Sequence, residues 1–447
     1  MNKLLLKQIT IYQPVATLTN GTLQVQEEPN DDFDIDNFLH YPLLINEDGS
    51  LWKHGNLYLL SKLKAYTKPS AKTLDSIAID LKFFKEWCDR ENVDYLSAPR
   101  KVLRPTYMYR GYLQEQLKDA QLSANTVKRR ISAVIGFYRY LIEVENIEFK
   151  FPLWESGITA ITYQDRQGFK QSKEVNTTDI GKVASTSNPD LFDDAIEDGS
   201  RLHPILQETQ KELMQTLKEI GNTEITLGFL IALTTGARMQ TVYTLRRKHF
   251  TKVFDKDEQD IRIRVGYGTH CDTKFQKQHT LLIPKWVYDK VRVYLNSPRA
   301  LTRLEKAVHI FDTQELQYAF LNRSGIPFYV SMDDPYRKLY KDGPNGNSVR
   351  QFIHSTLRQK LLKKGIKLDF SFHDLRASFG MNLLDKLMPL VKNKEMNLTR
   401  VLIEIKERMG HSSLITTEKY LNFRDRHKIK EQAQDDYEKY LKELLNE

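Results

Sequence analysis

Four separated segments in the C-terminal part of the 447-residue chain concentrate side chains that handle phosphate and protons. They are Thr234-Thr235-Gly236-Ala237-Arg238, Thr273-Lys274-Phe275-Gln276-Lys277, His373-Asp374-Leu375-Arg376, and Gly410-His411-Ser412-Ser413 running on to Tyr420. Chemistry at a phosphodiester requires groups that neutralise two non-bridging oxygens, protonate a leaving alkoxide and supply a nucleophile. Arg238 and Arg376 suit the first task, because a planar guanidinium presents a fork to two oxygens. His373, His411 and a lysine can exchange protons, and Tyr420 carries a nucleophilic oxygen. Taken singly, each has a plainer role. Arg238 could pair with an acid, His411 could fill a core, and Tyr420 is one of 22 tyrosines, with Tyr437 and Tyr440 close behind it.

Order and spacing decide between these readings, since the segments resemble the signature boxes of the tyrosine recombinase family of phage and mobile-element integrases. Thr235-Gly236-Ala237-Arg238 with Leu245 seven residues on, His373-Asp374-Leu375-Arg376, and Gly410-His411-Ser412-Ser413 with Tyr420 nine residues beyond the histidine follow that pattern across residues 202 to 424. The resemblance implies a site-specific DNA recombinase in which Tyr420 attacks a backbone phosphate, leaving a 3′-phosphotyrosyl link and a free 5′-hydroxyl. Arg238 and Arg376 would clamp the phosphate, His411 would hydrogen-bond it, and His373 would exchange the tyrosine proton. A lysine of the second segment would protonate the 5′-oxygen. Lys274 is chosen there, with Lys277 in the same turn as the alternative. Two departures stand out. Thr241 lies where the family often has glutamate, and the interval from His373 to His411 is longer than usual, with Lys386 to Asn397 as the expected insertion.

The elements that must position these residues are mainly helical. From about Ser70 to Asn146, Leu74, Ile77, Leu81, Phe84 and Trp87 or Cys88 recur at helical spacing, and a helix from Asn125 to Val144 carries Ile131, Val134, Ile135, Tyr138 and Leu141 on one stripe. Lys128, Arg129 and Arg130 lie on its polar side and are the candidate DNA-binding residues. This region is similar to the family's helical core-binding domain. Two strands, Ile261 to Val265 and Thr280 to Ile283, bracket the lysine segment. The expected fold is therefore mainly α with a small antiparallel β-sheet, comprising a SAM-like core-binding domain and a mixed α+β catalytic domain. Expected boundaries are an acidic N-terminal extension over 1–60, the helical domain over 61–163, a linker over 164–200, the catalytic domain over 201–424 and a tail helix over 425–447. In the tail, Tyr437, Tyr440, Leu441 and Leu444 form an apolar stripe that in similar recombinases docks on a neighbouring protomer.

The net charge of +9 suits a polyanionic partner, and its distribution is uneven. Residues 1 to 60 hold three lysines, no arginine and eight acids, a net of −5, which leaves +14 for the remainder. The acidic segment is expected to contact protein or cap a domain. Asp31, Asp32, Asp34 and Asp36 do not make an EF-hand, because Asn37 and Leu43 stand where glycine and glutamate belong. No phosphate-binding Gly-x-x-x-x-Gly-Lys-Ser/Thr string occurs, so ATP hydrolysis is not indicated. Gly266-Tyr267-Gly268 reads as a strand-end turn rather than a dinucleotide site. His270, Cys271 and His279 lack the second pair a zinc site needs. No cofactor or metal is expected, nor any membrane association. Cys88 and Cys271 are read as free thiols, as in a reducing cytoplasm. The resemblance implies a bacterial or phage-encoded, nucleoid-associated protein. Its implied partners are double-stranded DNA with specific recombination sites, a homotetramer assembled on paired sites, and an accessory DNA-bending protein. The rival classes are a type IB topoisomerase and a catalytically silent DNA-binding protein.

Overall fold

Side-chain caps open the helices that the apolar stripes predict. Ser70 accepts from the Thr73 backbone N–H ahead of Ala71–Arg90, and Ser123 accepts from the Thr126 N–H ahead of Ala124–Glu143. The computed structural model describes all residues except 11, 20–21, 30–37, 65–69, 165–169, 183–194, 256, 308–312, 341–342 and 446–447. The chain divides into two compact units, Met1–Asp190 and Leu191–Glu447.

In the first unit, strands β1 (Asn2–Ile9) and β4 (Phe38–Ile45) pair antiparallel, and β2 (Tyr12–Thr19) forms a hairpin with β3 (Thr22–Pro29). Helices α1 (Lys53–Ser61), α2 (Ala71–Arg90), α3 (Pro105–Lys118) and α4 (Ala124–Glu143) follow. Their core unites Leu74, Leu81, Phe84 and Trp87 of α2 with Ile131, Val134, Phe137, Tyr138 and Leu141 of α4. Each such side chain contributes about 1.5–3 kcal/mol when withdrawn from water. Met1, Phe38, Tyr41, Leu44 and Trp52 belong to the same cluster. Strands β1 and β4, Trp52 and helix α1 are thus built into the helical core, whereas the β2–β3 hairpin leaves Leu18, Leu23 and Val25 exposed. The aspartates at 31, 32, 34 and 36 lie outside the described residues.

The stretch expected as a linker from 164 to 200 is structured at both ends. Strands β5 (Ser156–Gln164) and β6 (Lys170–Thr178) make an antiparallel hairpin that ends the first unit. Most of its described side chains are exposed on both faces, so it lacks the apolar alternation that reveals a half-buried strand. Strands β7 (Ile196–Glu197) and β8 (Arg201–Leu202) close a second, shorter hairpin that belongs to the second unit.

The second unit contains α5 (Gln207–Ile220), α6 (Thr223–Thr235), α7 (Met239–Thr244), the antiparallel pair β9 (Asp260–Val265) and β10 (His279–Pro284), then α8 (Lys285–Leu295) and α9 (Pro298–Glu305). Short helices α10 (Asn347–Gln351) and α11 (Arg358–Lys363) flank a π-helical turn, and α12 (Asp374–Lys392), α13 (Leu398–Met409) and α14 (Leu414–Leu445) complete it. Helix α6 is apolar nearly all round and is the buried centre of this unit. Buried Glu224 in its first turn receives two hydrogen bonds from Arg299, at 2.8 Å each, and an ion pair from Arg303 at 2.9 Å. A second cluster packs Ala377, Leu384, Val401, Ile405, Met409 and Tyr420 from α12, α13 and α14 with Ile196 and Leu202 of the β7–β8 hairpin. The residues expected as an insertion form the last turns of α12 and its connection to α13. Helix α14 runs unbroken from before Tyr420 to Leu445, so the expected separate tail helix is the far end of the helix that bears the tyrosine. Among the described residues no helix is long and apolar enough to cross a membrane.

Candidate active site

Three of the four sequence boxes are helix boundaries that aim side chains inward. Gly236 ends α6 in the left-handed region, φ 68°, and a Cβ there would lie 2.6 Å from the Phe379 ring. Both facts require glycine at this turn. Arg238 follows in extended conformation as the N-cap residue of α7. His373 is the N-cap residue of α12, whose first turn carries Arg376. Gly410 ends α13, and the Ser413 hydroxyl accepts from the Ile415 N–H as α14 begins, which leaves His411 turned inward between two helices. Tyr420 sits two turns into α14 against Gly380 of α12.

Arg376 ties these boundaries together. Its Nη1 donates to the Gly236 carbonyl at 2.8 Å, its Nη2 to the Met409 carbonyl at 2.8 Å, and its Nε to Asp198 Oδ2 at 2.8 Å. One buried guanidinium therefore joins the end of α6, the end of α13 and the β7–β8 turn. The same Asp198 oxygen is 3.1 Å from His411 Nε2 and accepts from the Tyr420 hydroxyl at 3.2 Å. Asp198 Oδ1 lies 3.7 Å from an Arg238 Nη. Two arginines, a histidine and the tyrosine thus converge on one carboxylate. Arg238, Arg376, His411 and Asp198 border a cavity of about 380 Å³ that Lys274, Lys277 and Lys419 also line.

The electrostatics follow from this packing. Burial pushes the Asp198 carboxyl up, but the hydrogen bond from His411 and the charge of Arg376 outweigh it and hold the group well below the usual carboxylate range. Burial lowers His411, opposed by its bond to Asp198. A neutral ring donating Nε2–H to Asp198 leaves Nδ1 to accept from the Thr417 hydroxyl at 2.9 Å, which fixes the tautomer. Tyr420 is wholly buried, and burial together with the Asp198 charge raises its phenol far above the usual range despite Arg376 and Arg238. His373 is lowered to about 4 by burial and by the charges of Arg376 and Arg238. It does not line the cavity, and among the described residues its ring has no hydrogen-bond partner. Arg238 is lowered by burial and then by Arg376.

The lysine segment closes the cavity from the β9–β10 side. Buried Asp272 accepts from Gln240 of α7 at 2.8 Å, from Gln276 at 3.2 Å and from the Met332 N–H at 3.0 Å, which fixes the turn relative to Arg238. Lys277 Nζ donates to the Gly410 carbonyl at 3.3 Å, whereas Lys274 Nζ lies beside Gly199 and the exposed Phe275 ring. Both ammonium groups reach the cavity. Thr241, the departure from the family pattern, is buried, and its carbonyl accepts from the Cys271 thiol.

The candidate DNA-binding residues lie in the first unit and differ in how free they are. Lys128 is exposed. Arg129 pairs with buried Asp80 at 3.0 Å, and Arg130 stacks on Phe83 at 4.0 Å with its Nε 4.0 Å from Asp80. Burial raises Asp80 to about 6 against the pull of both arginines.

Asp198 and Gln240 were not among the sequence candidates. A signal for Asp198 existed, since Ile196 and Leu202 flank an Asp-Gly turn, a short-range hairpin pattern. Nothing at Gln240 marks it in sequence, because its role depends on Asp272.

Residues 58–145 match the family described as phage integrase, N-terminal SAM-like domain. Among solved structures the chain is similar to the Tn1549 transposon integrase (residues 82–397) in complex with circular intermediate DNA. The identity is 15% and the TM-score 0.43, with 82% of this chain and 94% of that chain covered. It is also similar to the XerA recombinase at 14% identity and a TM-score of 0.30, with 82% and 93% covered. No curated protein matches the chain.

Proposed function

We propose, with the match of residues 58–145 to the phage integrase SAM-like domain in support, that the chain is a site-specific DNA recombinase using Tyr420 as a covalent nucleophile. The observation that carries the reading is the convergence of Arg238, Arg376, His411 and Tyr420 on a single anionic oxygen-bearing group. A scissile phosphate in that position would meet cations for its non-bridging oxygens and a hydroxyl placed to attack phosphorus. Attack forms the Tyr420–phosphorus bond and breaks the bond to the 5′-oxygen, which takes a proton from Lys274 or Lys277 in the adjacent turn. Religation reverses these steps with a 5′-hydroxyl from a partner strand. The phosphoester linkage is conserved, so no nucleotide hydrolysis is required.

Arg238 and Arg376 then divide the work. Arg376 is fixed by two backbone carbonyls and offers Nε, while Arg238 has no such anchors among the described residues and can follow the phosphate. Neutral His411 offers Nε2–H, a donor that needs no protonation at neutral pH. His373, lowered to about 4, is also neutral and suited to accept the tyrosine proton once DNA reorders the site. The exposed Tyr437, Tyr440, Leu441 and Leu444 at the far end of α14 support assembly through this helix into a tetramer on paired sites.

Incubating the full-length protein with plasmids that carry the ends of its element separates the alternatives. Recombinant junctions support the reading. Relaxed circles alone would indicate a topoisomerase, and binding without strand exchange would indicate a silent DNA-binding protein.

A further inference from the structure

On the recombinase reading, a phosphodiester must reach a place that a side chain of the protein already fills. Asp198 Oδ2 takes hydrogen bonds from Arg376, His411 and Tyr420 at 2.8, 3.1 and 3.2 Å, and Oδ1 faces Arg238 at 3.7 Å. These are the groups whose chemistry suits a non-bridging phosphate oxygen and the attacking hydroxyl. A carboxylate and a phosphodiester are both anions that seek charge-assisted hydrogen bonds from guanidinium. They cannot occupy the same donors together, because like charges at contact repel strongly in a water-poor cavity. A constitutive base for Tyr420 would have to touch the phenol from outside the phosphate position. Asp198 instead lies between the phenol and both arginines.

The support around Asp198 is slight at the tip of its turn and firm at the base. The base is anchored by Ile196 and Leu202 in the cluster with Tyr420 and by the ladder pair between them, whereas Glu197, Gly199, Ser200 and Arg201 at the tip are exposed. Beyond the turn the chain is anchored to α12, where the His203 N–H donates to Asp374 at 2.6 Å and the Ile205 N–H to Ser378 at 2.8 Å. The tip can therefore leave the cavity while its base stays in place. The partner exchange is nearly balanced, since the arginines trade one anion for another.

We propose that the Asp198 carboxylate is a built-in occupant of the scissile phosphate's seat, which holds the DNA-free second unit inactive until a DNA phosphate displaces it with the 197–201 tip. The nucleophile is blocked by the same contact. With the carboxylate in place Tyr420 is buried and its proton is engaged, and with it displaced the hydroxyl faces phosphorus.

The test uses the full chain and its Asp198→Asn and Asp198→Ala variants, with inorganic orthophosphate as the probe of the empty seat. Calorimetric titration without DNA should show orthophosphate binding about tenfold or more tighter in both variants than in wild type. Covalent adduct formation on a duplex of the protein's own site should also be at least about threefold faster. Unchanged orthophosphate affinity with slower adduct formation would overturn the proposal and place Asp198 within the reacting complex. If the variants do not fold, hydrogen exchange on wild type decides. Faster exchange of the 197–201 amides on DNA binding supports displacement, and equal or greater protection contradicts it. If wild-type protein forms no adduct with any DNA, the recombinase reading fails, while the orthophosphate titration still reports on the seat.

Discussion

Gly380 sets how closely α12 can approach Tyr420, which makes Gly380→Ala a direct probe of tyrosine placement. A Cβ at this position would lie 2.5 Å from Tyr420 Cε1, and 2.9 Å from both Tyr420 Cδ1 and Met409 Sδ. Carbon contacts relax to about 3.5–4.0 Å, so the ring or the helix must give by about 1 Å. Overpacking of that size costs about 1–3 kcal/mol. Replacing a helical glycine by alanine returns about 0.5–1 kcal/mol, so the net loss of stability is about 0–2.5 kcal/mol. Catalysis is less forgiving, because a reacting atom displaced by about 1 Å can lose about a hundredfold in rate. Gly111→Ala in α3 is the control, since nothing lies within 4 Å of its Cβ. It should gain about 0.5–1 kcal/mol and leave the rate alone. Urea denaturation and single-turnover adduct formation read the two effects separately. An adduct rate for Gly380→Ala within about threefold of wild type would refute the claim that this contact positions Tyr420.

Arg376→Lys should lose about a hundredfold or more in cleavage and about 2–5 kcal/mol in stability, because lysine cannot serve Gly236, Met409 and the anion at once. Single-turnover assays and denaturation check it, and near-wild-type values in both would remove Arg376 from its central place. In the first unit, Lys128→Ala should reduce the slope of log binding against log salt by about 0.9. Arg130→Ala should chiefly lower thermal stability, since that side chain lies on Phe83 and beside Asp80, and a reversed pattern would place Arg130 on DNA. Asp80 is raised from its usual 3.8 to about 6, so the folded state binds the proton more tightly than the unfolded chain. That contribution is complete below about pH 4 and lost as pH rises through about 6, at most about 3 kcal/mol. The stability difference between wild type and Asp80→Asn should change over that window, and a flat difference would show that Asp80 titrates normally.

The helices, and the boxes that meet at the candidate site, were legible because their signals are local. Leu74, Leu81 and Phe84, or Ile131, Val134 and Leu141, repeat at the period of a helix whose one face is buried. Gly236 and Gly410 mark helix ends that point Arg238 and His411 inward. What escaped was set by tertiary structure. The β5–β6 hairpin is exposed on both faces and has no apolar period to read. The first 60 residues look detachable by charge, yet Met1, Tyr41, Leu44 and Trp52 fill the same core as α2 and α4. Asp198 lies 178 residues from Arg376, 213 from His411 and 222 from Tyr420, so only folding reveals that one carboxylate engages all three. The continuous α14 likewise joins Tyr420 to the exposed apolar stripe, a link that basic residues between Arg424 and Lys430 obscured in sequence.

The central claim is that Tyr420, and no other residue, becomes covalently joined to DNA. Full-length protein incubated with a nicked duplex of its own site, then denatured, digested and analysed by mass spectrometry, should yield a nucleotide attached through a 3′-phosphate to the peptide bearing Tyr420. Tyr420→Phe should bind that duplex with unchanged affinity and yield none, because only the attacking oxygen is removed. An adduct persisting in Tyr420→Phe, or mapped to Tyr437 or Tyr440 in wild type, would contradict the account.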